Sequence, residues 1–345
     1  MKNQKVTVII PEHNRPEHLK RLLDYFLNFN FPIIVADSSI EKFKYLGSFE
    51  ERISYYHFPK EELGKKLYNL ADKISTPYVV MCANDDFLIP EAIEQLVDFL
   101  DNNNDYNSAQ GMFIDFSIKN NEIIRGLRYK STSDIDLDDT DGLKRLFRLQ
   151  SNYFQYYYSV IRTEIFNRVF ESINHFSTCE ISNLCLLESY MSSYIAINGK
   201  HRILPIFYSV RENILNSAAS FTDTIPDVIF KSKYRKQYES YLSNLAYELH
   251  SVDNISIDRA YAKIKQSVKI YVKSIHPDFY TFKGMCLFSI KVKLKGIWKH
   301  FNDKNIVLVK SERQVDYFPF DDEASVLQWD RVRGYIMKYQ HIYKK

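Results

Sequence analysis

The stretch Lys5-Val6-Thr7-Val8-Ile9-Ile10-Pro11-Glu12-His13-Asn14-Arg15-Pro16-Glu17-His18-Leu19 opens with a β-branched run almost free of polar interruption. That is the pattern of a parallel strand buried on both faces. Pro11 is expected to end the run. Pro16 stands where a first helical residue would, and the residues from His18 to Leu27 carry apolar side chains at helical spacing.

The pattern repeats along the chain. Pro32-Ile33-Ile34-Val35-Ala36 reads as a second strand stopping at Asp37-Ser38-Ser39, and Ile53-Ser54-Tyr55-Tyr56-His57-Phe58 as a third. A helix over about 64–74 and a strand from Tyr78 to Cys82 follow. This order predicts a mostly parallel α/β sheet with helices on its faces. Such sheets bind ligands beyond the carboxyl ends of their strands. Asp37 and the Asn84-Asp85-Asp86 stretch therefore share one rim, where clustered carboxylates call for a cation or hydrogen-bond donors.

Composition sets outer limits. The 345 residues are 45% hydrophobic and 26% charged, the balance of a globular protein with a sizeable core. No apolar run reaches the roughly 18 residues that span a bilayer, and the apolar run near the N-terminus is too short for a secretory signal, so a cytoplasmic protein is expected. Cys82, Cys179, Cys185 and Cys286 form no C-x-x-C pair and have no histidine at zinc spacing. Residues 1–221 hold 24 Lys/Arg against 29 Asp/Glu, whereas residues 222–345 hold 22 against 14, which leaves an acidic body and a basic remainder. Neither G-x-x-x-x-G-K-[ST] nor G-x-G-x-x-G follows the first strand, so a bound nucleotide would need another means of holding its phosphates. A divalent metal on one or two carboxylates would supply one.

Val6 to Leu19, the strand ending Val35-Ala36-Asp37-Ser38-Ser39, and Ser75-Thr76-Pro77-Tyr78-Val79-Val80 leading into Asn84-Asp85-Asp86-Phe87 keep an order and spacing that resembles the nucleotide-sugar-dependent glycosyltransferases of the GT-A fold, family-2-like. Glu188, Gly199-Lys200 and Arg211-Glu212 look like the region that supplies that family's catalytic carboxylate. The resemblance covers residues 5–100 well and nothing beyond about 221. It implies a GT-A α/β domain over 1–221; the remainder, 222–345, reads from its own amphipathic pattern as a mainly helical, basic region with its clearest helices at Ser232 to His250 and Ile257 to Ser274. It also implies sugar transfer from a nucleotide donor to a glycan or lipid-linked acceptor, as in bacterial capsule or O-antigen synthesis. Nucleic acid is not an expected partner.

The resemblance puts Asp37 at the nucleobase. It sets Pro11, Glu12, Arg15, Lys66, Asn84 and Asp85 around the donor, with Asn84 toward the ribose. Mg²⁺ or Mn²⁺ would be held chiefly by Asp86, with Asp85 beside it. One departure stands out: the stretch is N-D-D where the family has D-x-D, so one charge is missing. Glu188, in the apolar run Leu186-Leu187-Glu188-Ser189-Tyr190-Met191, is the expected base, since such surroundings raise a carboxyl pKa toward the useful range. Glu180 is its rival, and His13, His175 and His201 are further candidates.

Each feature also has a plainer reading. Asp85-Asp86 would cap a helix opening at Ile89-Pro90, Glu188 would be a helix-surface glutamate, and Asn152-Tyr153-Phe154-Gln155-Tyr156-Tyr157-Tyr158 would be a core strand rather than a sugar platform. Residues 283–301 fit either an alternating strand or a basic amphipathic helix. Such a helix packs on the body or makes a peripheral contact with the inner face of a membrane. Two rival functions remain at this level: a sugar nucleotidyltransferase, whose glycine-rich loop is missing, and a nucleotide-binding module of the same fold without activity.

Overall fold

The computed structural model describes residues 2–44, 52–120, 122–129, 136–176, 181–213, 222–275, 277 and 316–343. The segment 283–301, Cys179, Cys286 and Glu180 lie outside the described residues, as does the side chain of His175.

Strand β1 (Val6–Glu12) leads into α1 (Pro16–Phe26), and β2 (Ile33–Asp37), β3 (Ile53–His57), α2 (Leu63–Tyr68) and β4 (Tyr78–Met81) follow. These four strands are mutually parallel in the order β3-β2-β1-β4. Val8, Ile10, Val35 and Val80 enter one core, while Ile9, Ile34, Val79 and Met81 enter the other. Both faces being covered explains why the sequence shows runs instead of alternation.

Pro11 does not end β1, which continues to Glu12. Val8 and Glu12 bond toward β2, and Ile9 accepts from Cys82 on the β4 side. By alternation Pro11 also faces the β4 side, where β4 has stopped at Met81, so no ladder needs the N–H that proline lacks.

The chain continues through β5 (Phe87–Leu88), α3 (Pro90–Asn102), β6 (Tyr106–Lys119), β7 (Glu122–Leu127), α4 (Gly142–Ser151), β8 (Val160–Arg162), α5 (Thr163–Phe176), α6 (Leu184–Asn198) and β9 (Lys200–Glu212). The sheet order extends β4-β8-β6-β9-β5, with β7 on β6. Here the pairing is mixed, since β8 is antiparallel to both neighbours while β6 and β9 run parallel.

The remainder is helical: α7 (Ile225–Phe230), α8 (Arg235–Asp253), α9 (Ile257–Ile275) and α10 (Glu323–Lys338). The two long helices match the expected stretches to within a few residues. α8 and α9 pack on one side of the sheet and α10 on the other. Leu242, Leu245, Ile264 and Val268 of α8 and α9 join the core formed with α5 and α6. Trp329, Val332 and Ile336 of α10 join the opposite core with α1 and α3. Arg331 fixes α10 by a two-pronged bond to Glu91 at 2.8 and 2.7 Å. Among the described residues, no helix is long and apolar enough to cross a membrane.

Candidate active site

Because β1, β2 and β4 are parallel, their ends deliver Glu12, Asp37 and Asn84-Asp85-Asp86 to one rim. The end of β9 brings Arg211 and Glu212 there, and α6 brings Glu188. A cleft of about 860 Å³ is lined by Pro11, Glu12, Arg15, Lys66, Asn84, Asp85, Asp86, Glu188 and Arg211, among others.

Asp85 and Asp86 do not cap α3. Ile89 is the N-cap of that helix and makes no side-chain bond, and β5 separates it from the aspartates. The Asp86 carboxylate accepts from Arg211 Nε at 2.9 Å and from the Glu212 backbone N–H at 3.0 Å. Burial raises the pKa of this carboxyl above the ordinary value; Arg211 pulls it back and Asp85 adds to the rise. Asp85 accepts from Arg15 Nη1 at 2.6 Å through its side chain, and from Arg21 Nη2 at 2.7 Å through its carbonyl.

Asn84 has a structural reason to be an amide. Its Nδ2 donates to the carboxylate of Glu12, which is only 2% exposed and also accepts from the Arg15 backbone N–H at 2.5 Å. An aspartate at 84 would set two buried carboxylates against each other, and one would have to keep its proton. The amide nitrogen of Asn84 is thereby committed to Glu12, while the residue itself lines the cleft. Asn84→Asp should therefore destabilise the fold. The cost is about 1.4 kcal/mol for each pH unit above the ordinary carboxyl pKa, up to the raised one. The folded state would hold a proton the unfolded chain has lost, so the penalty grows as pH rises from 5 to 7. Urea unfolding at the two pH values checks this, and Glu12→Gln with Asn84→Asp should recover the loss.

Glu188, delivered by α6, lines the same cleft and is partly exposed. Burial raises its carboxyl pKa, while hydrogen bonds from Tyr157 and Gln155 and the charges of Arg211 and Arg128 oppose the rise. Gln155 is the bridge between Arg211 and Glu188. Its Oε1 accepts from Arg211 Nη1, and its Nε2 donates to Tyr157 Oη at 3.0 Å. Arg211 also stacks on Tyr158, its guanidinium carbon 4.5 Å from the ring centre.

The aromatic run is thus neither a strand nor a bare platform. Tyr156–Tyr158 form a short 3-10 turn; Phe154 and Tyr156 are core, while Gln155, Tyr157 and Tyr158 line the cleft.

The remaining candidates separate clearly. His13 lines the cleft, its Nδ1 3.1 Å from Ser38 Oγ. His201 is fully buried, paired with Ser108 Oγ at 2.8 Å, and burial drives its pKa down to about 3, which removes it as a base. Asp37 is buried and is not among the residues lining the cleft; its carboxylate accepts from Ser39 N–H at 2.7 Å and Tyr55 Oη at 2.5 Å. Lys66 donates to Glu12 O, Ala36 O and Ser38 Oγ at 2.9, 3.1 and 3.0 Å. All three of its N–H groups are engaged. In this geometry it ties the ends of β1 and β2 together instead of offering a charge to phosphate, and burial lowers its pKa to about 8.

Sequence reasoning missed Arg21 and Arg128; it placed Arg211 only within the region of the catalytic carboxylate and Gln155 only within the aromatic run. A lone arginine or glutamine carries no spacing signal. The usable hint was that Arg211 and Glu212 close an apolar strand, as Glu12 does.

Residues 7–170 match the model of the family described as Glycosyl transferase family 2. No curated protein matches the chain. Among solved structures, S. aureus TarS is similar at 14% identity over 78% of this chain, with a TM-score of 0.45; this chain spans 55% of that one. The 1–349 fragment of TarS in complex with UDP-GlcNAc aligns at 12% identity over 80% of this chain and 93% of that one, with a TM-score of 0.46. Residues 7–170, which bring Glu12, Asp37 and Asn84-Asp85-Asp86 to one rim of the mostly parallel sheet, are thus the part of the chain that is similar to glycosyl transferase family 2.

Proposed function

We propose that the chain moves a sugar from a nucleotide diphosphate sugar to a hydroxyl of a glycan or lipid-linked acceptor, as in the assembly of bacterial capsule or O-antigen. The supporting observation is that Asp85, Asp86 and Glu188 line one cleft, with Asp86 linked to Glu188 through Arg211 and Gln155. Transfer needs the leaving diphosphate's growing charge stabilised and the acceptor hydroxyl relieved of its proton. Asp85 and Asp86 serve the first task, with Arg15 and Arg211 beside them. Glu188 serves the second. Asp37, at the end of β2, is assigned to the nucleobase.

The residues fit a divalent cation in a limited way. Each carboxylate has about four acceptor positions; the bonds described above occupy two on Asp86 and one on Asp85. Among the described residues, no group of three or more His, Cys, Asp or Glu could hold a metal. Mg²⁺ or Mn²⁺ would therefore be held by Asp86 and Asp85 only once phosphate oxygens complete its shell, and it would supply charge stabilisation for the leaving group.

A donor screen by release of free nucleotide tests the proposal, run with and without EDTA. Turnover of one sugar nucleotide that EDTA reduces at least about 100-fold is expected, since removing such charge stabilisation costs several kcal/mol. Full activity in EDTA would overturn the metal assignment. Nucleotide binding without turnover of any donor would favour the inactive binding module.

A further inference from the structure

Behind Asp85 and Asp86, three remote segments meet. Arg21 on α1 is fully buried; its Nη2 donates to the Asp85 carbonyl at 2.7 Å and to Glu212 Oε2 at 2.9 Å, and its Nη1 donates to Tyr343 Oη. The Tyr343 hydroxyl in turn donates to Glu212 Oε2 at 3.0 Å. The backbone N–H of Glu212 holds the Asp86 carboxylate at 3.0 Å. His18 Nε2 stands 4.0 Å from Glu212. Tyr343 reaches this place because it belongs to the turn Gln340–Tyr343 just after α10, which is docked by Arg331 on Glu91 and by Lys338 on Asp24 at 2.9 Å.

A phenol both accepts and donates, so one hydroxyl bonds a buried cation and a buried anion at once. Removing it leaves the Arg21–Glu212 pair in place but incompletely bonded on both sides. We propose that Tyr343 is a positioning residue for sugar transfer: the docking of α10 carries its hydroxyl into the Arg21–Glu212 pair, and the three side chains together hold Asp85 and Asp86 in place for the donor's diphosphate. This rests on the assignment of Asp85 and Asp86 to the diphosphate made above.

The test compares the full native chain with Tyr343→Phe by calorimetry. The probes are UDP, GDP and CDP, each with Mg²⁺, and the three corresponding nucleosides. For the diphosphate that the native chain binds, Tyr343→Phe should weaken affinity about tenfold, as expected for loss of a hydrogen bond to charged groups. The matching nucleoside should keep its affinity within about twofold, since it lacks the phosphates the clamp is built to meet. Thermal melting should stay within a few degrees of native. If Tyr343→Phe melts far lower, Glu212→Gln, which keeps the side-chain shape, carries the same comparison with the same expected result. Unchanged diphosphate affinity, or an equal loss for diphosphate and nucleoside, overturns the clamp alone. If the native chain binds none of the diphosphates, the assignment of Asp85 and Asp86 falls and takes the clamp with it.

Discussion

Asp86→Asn is expected to lower kcat by about 10²–10³-fold, the usual cost of removing one preorganised electrostatic contact to a developing charge. Asparagine is the informative replacement. Asp86 is only 4% exposed and neutralises Arg211, so Asp86→Ala would leave a buried guanidinium without its counter-charge, at a cost of about 3–5 kcal/mol in stability. Lost turnover in the alanine variant could then be mistaken for a chemical effect. Asparagine also removes the counter-charge, but it fills the same space and keeps one acceptor oxygen for Arg211 or the Glu212 N–H, so circular dichroism should stay native while turnover collapses. Turnover within a few-fold of native would remove the N-D-D stretch from the phosphate site.

Glu188→Gln should lower kcat by about 10²–10⁴-fold, the range of a lost general base. Nucleotide affinity should be unchanged, because Glu188 is assigned to the acceptor's proton and not to the donor's phosphates. The pH dependence has a definite sign. Burial raises the Glu188 carboxyl above its ordinary 4.5, so the ionised form that accepts a proton exists only above the raised value. The acid limb of kcat in the native enzyme should therefore lie higher than an exposed glutamate would place it, and Glu188→Gln should abolish that limb. If Glu188→Gln retains native turnover while a Glu180→Gln variant loses it, the base is Glu180.

The sheet and its rim were legible in the sequence because the information is local. A β-branched run without polar interruption can only be a strand covered on both faces, and Pro16 after Glu12-His13-Asn14-Arg15 marks where the first helix starts. Parallel strands that stop at Asp37 and shortly before Asn84-Asp85-Asp86 put those carboxylates on one edge whatever the remaining chain does. The amphipathic stretches at residues 232–250 and 257–274 likewise declared themselves helical by period. What the chain does between elements is decided by contacts distant in sequence. Only the folded structure shows that Asn84 faces Glu12, 72 positions away. The same holds for Lys66, whose charge is turned to backbone carbonyls, and for His201, which is walled into the core. Arg211 meets Asp86 across 125 positions, and Tyr343 reaches Arg21 across 322. Period and propensity report on neighbours within a turn or a strand. A hydrogen bond between buried charges depends on which surfaces pack, so the pairing of these groups was written by the tertiary structure alone.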